Sequence, residues 1–182
     1  DTIFTQVKKN VWVMMGLFSE KMNDEKNSVS IEKSLIQKNE VTATVMQFNK
    51  KDLAAPIHFS SLEALLRDIS INDFGCDEVK IIFSGNNEYP YSAREQWTDS
   101  CNLLALKEGV VLSYDRNEKT NAAFEAAGFK LIKVKDIIED LENDKIQVGE
   151  IENTVILMPS AELSRARGGF HCMSMPIERS SI

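Results

Sequence analysis

The sequence is poor in residues that staple small proteins together: 182 residues hold three cysteines and two histidines. Cys76, Cys101 and Cys172 are odd in number, widely spaced and without a CxxC, which argues against a disulfide framework or a zinc ribbon and fits a reducing cytoplasm. Long hydrophobic runs are absent too. The longest, Val11 to Gly16 with a short continuation, falls far below the roughly 20 residues that cross a bilayer, so no membrane partner is expected. Positive charge is in deficit: 21 Lys and Arg against 28 Asp and Glu leave a net charge of -7, the wrong sign for gripping a phosphate backbone, and nucleic acid is not expected as a partner. A charged, apolar leader is also lacking. Asp1 is followed directly by strand-like sequence, so the chain reads as a fragment or a processed piece.

What is present is globular composition, 43% hydrophobic and 27% charged, enough for one domain or part of one. Thr2 to Val7 and Asn10 to Met15 read as a hairpin around the Lys8-Lys9-Asn10 turn. Ser19 to Glu40 is polar and turn-rich and reads as an excursion outside the core, followed by an alternating strand Val41 to Val45. Ser60 with Glu63 forms a capping-box pattern, and Leu62, Leu65, Leu66 and Ile69 make one helical stripe ending near Gly75. Val79 to Phe83 is a short apolar run. The turn formers from Ser84 to Ser92 then predict a long connection.

Cys101 to Leu106 and Val110 to Tyr114 read as strands around Lys107-Glu108-Gly109. A helix Thr120 to Ala127 ending at Gly128 and a strand Phe129 to Val134 follow. Asp136 to Glu142 reads as a helix, Thr154 to Met158 as a buried strand, and Cys172 to Ile177 as a final strand. This mixed order predicts an α/β fold, layered or propeller-like, and argues against an all-β sandwich. No internal repeat is visible in the sequence.

The stretch Arg165-Ala-Arg167-Gly168-Gly169-Phe170-His171-Cys172-Met173-Ser-Met-Pro176 carries the chemistry. Two glycines let a backbone come close to a ligand, and cysteine is a strong nucleophile once ionised. This stretch resembles the C-terminal active-site motif of the arginine deiminases. Arg94-Glu95-Gln96-Trp97-Thr98-Asp99, Asn102 to Leu106, Tyr114-Asp115-Arg116-Asn117 and Thr120-Asn121 resemble the block that precedes that motif. Asp1-Thr2-Ile3-Phe4-Thr5-Gln6 resembles the segment bearing a catalytic His and Asp. The resemblance runs from Asp1 to the C-terminus and is weakest over 19–60, which reads as an insertion.

The resemblance implies a partial pentein, an α/β propeller of which this chain supplies about two of five blades, as the C-terminal part of a single catalytic domain over 1–182. It implies L-arginine as substrate, hydrolysed to citrulline and ammonia through a covalent amidino-cysteine, with no metal or organic cofactor. Cys172 matches the nucleophile and Asp1 a carboxylate that holds the guanidinium. Arg167, beside Gly168 at the substrate, pairs with the substrate carboxylate. Bidentate geometry suits both contacts. The family's acid/base His falls two residues before the position of Asp1, so the chain is expected to be inert without the missing N-terminal half.

The other candidates have plainer readings. His171 adjoins Cys172 and, on a strand, would face away from it. His58 reads as a surface or packed histidine, and Cys76 and Cys101 as small apolar fillers. Trp97 with Arg94 and Glu95 either shapes the mouth of the site or is a packed Trp beside a local ion pair. Two alternatives to the deiminase remain open: a related amidinotransferase, and a non-catalytic truncated module that self-associates through unpaired edges.

Overall fold

Alternation of large apolar residues on both faces makes Val11-Trp-Val-Met14 suited only to the middle of a sheet, and that is where it lies. In the computed structural model, which describes residues 2–19, 45–160, 163–165 and 168–178, β1 (Phe4–Lys8) pairs antiparallel with β2 (Val11–Met14). On its other side β2 pairs in parallel with β5 (Lys80–Phe83). Every residue of β2 is buried. Two units compose the chain, one of residues 1–15 with 80–182 and the other of 16–79.

The second sheet repeats the plan. β6 (Leu104–Lys107) turns into β7 (Val110–Tyr114), whose far side pairs in parallel with β9 (Thr154–Met158), and β8 (Lys130–Lys133) lies outside β9. Helices α3 (Glu118–Ala126) and α4 (Val134–Glu142) link β7 to β8 and β8 to β9. Because successive side chains alternate, Val111 and Val155 join Phe124 of α3, while Val110 and Ile156 join Ile137 of α4. Val7, Val11, Val13 and Ile82 of the first sheet pack into the same core as Val111, Phe124, Phe129 and Val155. Gly109 N donates to Val7 O at 2.8 Å, tying the two hairpins together. This mixed α/β arrangement matches the expected fold class.

In the unit of residues 16–79, β3 (Val45–Asn49) and β4 (Asp52–Phe59) form a hairpin, and α1 (Leu62–Asp68) runs on into a wider turn of helix, Ile69–Asp73. Leu66 is its most deeply buried apolar side chain. The cap of α1 is Ser61 rather than Ser60, its side chain accepting from Ala64 N at 3.0 Å. Glu63 instead pairs with Arg67 one turn on, at 2.8 Å. The excursion expected over Ser19 to Glu40 and most of the strand expected over Val41 to Val45 lie outside the described residues.

Three further expectations are corrected. Tyr91–Trp97 is a helix, α2, where a connection was expected to run to Ser92. Cys101 to Leu103 is irregular backbone, and β6 begins only at Leu104, because Asn102 N is taken by Asp99 O in a turn. Cys172 to Ile177 is not a strand: the chain turns over Phe170 to Met173, with Met173 N donating to Gly169 O at 3.2 Å and Ser174 N to His171 O at 3.2 Å.

Candidate active site

The site is built on the turn that follows α2. Asp99 takes a left-handed backbone at φ 56°, which lets Ser100 N return to Glu95 O and Asn102 N to Asp99 O. The turn thereby offers the Asp99 and Asn102 side chains to a single neighbour, the segment Gly168–Cys172. Asp99 Oδ2 accepts from Gly168 N at 2.8 Å, and Tyr114 OH donates to Gly168 O at 3.1 Å. Asn102 Oδ1 accepts from Cys172 N at 3.3 Å, while its Nδ2 donates to Cys172 Sγ at 2.8 Å. Phe170 packs on the Tyr114 ring with centroids 4.5 Å apart.

Each glycine of the motif has its own reason. Gly168 sits at φ +125°, a conformation that a side chain resists. Gly169 lies against Asn102 so closely that a Cβ would come within 2.2 Å of the Asn102 carbonyl oxygen. The close approach expected toward a ligand is made here, at Gly169, to Asn102 of the protein itself. Burial and the nearby Asp99 carboxylate both push the Tyr114 phenol up from its ordinary value, which keeps it a neutral donor.

The turn is fixed from behind. Glu95 is fully buried at the start of α3, Oε1 accepting from Lys119 N at 2.9 Å and Oε2 from Thr120 N at 2.9 Å and Thr120 Oγ1 at 2.7 Å. A carboxylate at free helix N–H groups satisfies donors and suits the helix dipole. Asn117 and Thr98 exchange two bonds, Thr98 Oγ1 to Asn117 Oδ1 at 2.5 Å and Asn117 Nδ2 to Thr98 O at 3.2 Å. Asp115 Oδ1 receives Ser160 N at 3.3 Å and Arg116 reaches Ser164 Oγ at 2.9 Å, which guides the chain toward the glycines.

Of the expected site residues, Cys172 and Gly168 are brought together here, with Cys172 on an exposed turn. Asp1 and Arg167 lie outside the described residues. His171 is exposed on the same turn and lines an open groove of about 750 Å³ with Phe4, Trp12, Leu104 and Met175. His58 is exposed on β4. Cys101 is buried beside Asn102, and burial pushes its thiol up to about 12, which fits an inert filler. Cys76 is only partly buried, less enclosed than a core filler. Trp97 is 62% exposed, so it is not a packed core residue, and Glu95 caps a helix rather than pairing with Arg94. Asp99, Asn102 and Tyr114 were not singled out by sequence; their one signal was membership of the blocks that resemble the family's segment before the glycine motif. Among the described residues no cluster of His, Cys, Asp and Glu could hold a metal ion, and no helix is long and apolar enough to cross a membrane.

Fold and site together define an α/β protein that presents a cysteine thiol on a glycine-hinged turn gripped by an asparagine. A family model described as arginine deiminase matches residues 1–179, and the chain belongs to that family. Similar proteins named arginine deiminase include one from Oenococcus oeni, 34% identical over 148 residues (81% of this chain, 29% of the relative). One from Borrelia recurrentis is 37% identical and one from Streptococcus agalactiae 33% identical, each over 126 residues, 69% of this chain and 25% of the relative. The match thus spans little more than a quarter of those relatives' own length.

Proposed function

We propose that this chain carries the nucleophile-bearing part of an arginine deiminase, a partial pentein of about two blades within one catalytic domain. The observation that carries the reading is the Asn102–Cys172 pairing: the glycine motif and the block before it, distant in sequence, converge on one exposed thiol. In this reading the Cys172 thiolate attacks the guanidinium carbon of L-arginine and a C–S bond forms. The C–N bond to the departing nitrogen breaks, and that nitrogen takes a proton and leaves as ammonia. Water then gives up a proton, attacks the same carbon and breaks the C–S bond, releasing citrulline and restoring the thiolate. Asp1 holds the guanidinium, and Arg167 with the adjacent Gly168 meets the substrate carboxylate, which favours arginine over a decarboxylated analogue. Proximity supplies much of the rate.

The acid and base belong to a His outside this sequence, so the isolated chain binds or is labelled without turnover. Intact mass after incubation with a haloacetamidine, alongside a citrulline assay, tests this. A single adduct at Cys172 without citrulline is expected from the chain alone, and citrulline once the rest of the enzyme is supplied. No adduct at Cys172, or an adduct at Cys101 instead, contradicts the assignment. An amine acceptor in the reconstituted assay separates hydrolysis from amidino transfer.

A second reading, association, is favoured by one observation. The groove beside His171 opens between β1 and β6, each the edge strand of its sheet. Edge strands with Phe4, Trp12 and Met175 alongside favour a second copy or a complementary part of the domain. Light scattering should then show a dimer or larger; a monodisperse monomer at micromolar concentration rules association out.

A further inference from the structure

We propose that Asn102 is a positioning residue that directs the Cys172 sulfur for attack; this rests on Cys172 being the nucleophile of the reading above. One side chain faces two atoms of the same residue. Oδ1 accepts from Cys172 N at 3.3 Å and fixes the backbone, while Nδ2 donates to Sγ at 2.8 Å and addresses the chemistry. A donor aimed at sulfur favours the charged form, because a thiolate only accepts whereas a thiol also carries its own hydrogen.

The amide is held rigidly enough to do this. Asn102 is 1% exposed between buried Cys101 and Leu103, its N–H is tied to Asp99 O at 3.0 Å, and Gly169 is pressed against its Cβ. The donor is thus preoriented when a substrate enters. The pressing contact of Gly169 and the left-handed bend at Asp99 are then both means of bringing this amide to the thiol.

The two bonds separate under substitution. Asn102→Asp keeps an acceptor for Cys172 N, removes the donor to sulfur and adds a negative charge beside it. The rate of Cys172 alkylation by iodoacetamide, read by peptide mass spectrometry from pH 6 to 10 on the full chain, should fall at least tenfold near neutrality. The midpoint of the rate–pH profile should move upward. A residue with a purely structural role would lower the thermal midpoint and expose Cys101 to the reagent without moving that profile. Unchanged rate and midpoint in folded Asn102→Asp overturn the proposal.

Should the variant not fold, the wild-type chain decides it. The Asn102 side-chain NH2 resonances, followed by NMR over the same range, should shift with the midpoint of Cys172 alkylation, and a flat response overturns the proposal. Alkylation needs no turnover. Absence of citrulline from a reconstituted enzyme whose Cys172 still labels normally would therefore count against the deiminase reading and leave the Asn102 result standing.

Discussion

Cys101 and Cys172 share one neighbour, Asn102, the first through a peptide bond and the second through a hydrogen bond. Yet their surroundings are opposite. Cys101 is buried, takes part in the core behind the turn, and holds its proton up to about pH 12 because no solvent reaches it. Cys172 stands on an exposed turn with an amide donor at its sulfur. Access and a fixed donor, rather than residue type or proximity to the site, set the two thiols apart.

The largest expected effect is on thiol chemistry itself. With its thiol held up to about 12, Cys101 is ionised to only about 10⁻⁴ at pH 8. Iodoacetamide should therefore label Cys172 at least ~100-fold faster in the native protein, and urea should erase the difference. Equal native rates would break the contrast. In a reconstituted enzyme Cys172→Ala abolishes citrulline formation, while Cys101→Ala leaves most of it.

Next comes Gly169→Ala. Its new methyl meets backbone rather than a flexible side chain, so the turn must shift, at a cost of about 2–3 kcal/mol in urea unfolding. An unchanged midpoint would show that the grip on Asn102 is loose. Glu95→Gln sharpens the comparison from the Cys101 side. It keeps the shape but weakens charge-assisted bonds to the start of α3, and about 1–2 kcal/mol should be lost.

The smallest effect belongs to Glu88 and Lys119, an exposed pair at 2.7 Å. The Lys119 ammonium, with help from Asn86, lowers the Glu88 carboxyl below its ordinary 4.5. A lowered folded value stabilises above the unfolded one and is lost as pH falls. The thermal midpoints of wild type and Glu88→Gln should thus differ slightly at pH 7 and converge below about pH 4. A gap that widens in acid would reverse the sign.

Much of the fold was legible because it is written in short, continuous apolar runs. Val110–Tyr114 and Thr154–Met158 coincide with their observed strands, since central parallel strands are apolar on both faces. Ser61 displaced Ser60 as the cap, since a cap is decided by backbone geometry that neighbouring serines share in sequence. The segment after Cys172 misled because alternating Met residues imitate a strand, whereas the glycine pair before it drives a turn. At the site, Cys172 stood out through its local motif. Asn102 and Asp99 did not, because their partners lie 70 and 69 residues further along the chain. A contact of that separation leaves no periodicity to read.

That separation also sets a timetable. A bond between Asn102 and Cys172 closes a long loop, and loop closure costs entropy that must be met by contacts formed beforehand. The inner turn, with Asp99, Asn102 and the Glu95 cap, draws on partners 3–25 residues away and can be in place early. The sulfur acquires its amide only when the last segment docks. During refolding, pulse labelling should find both cysteines equally reactive at first and Cys101 protected before Cys172 gains its donor, so the thiol of this turn meets its amide as the final act of folding.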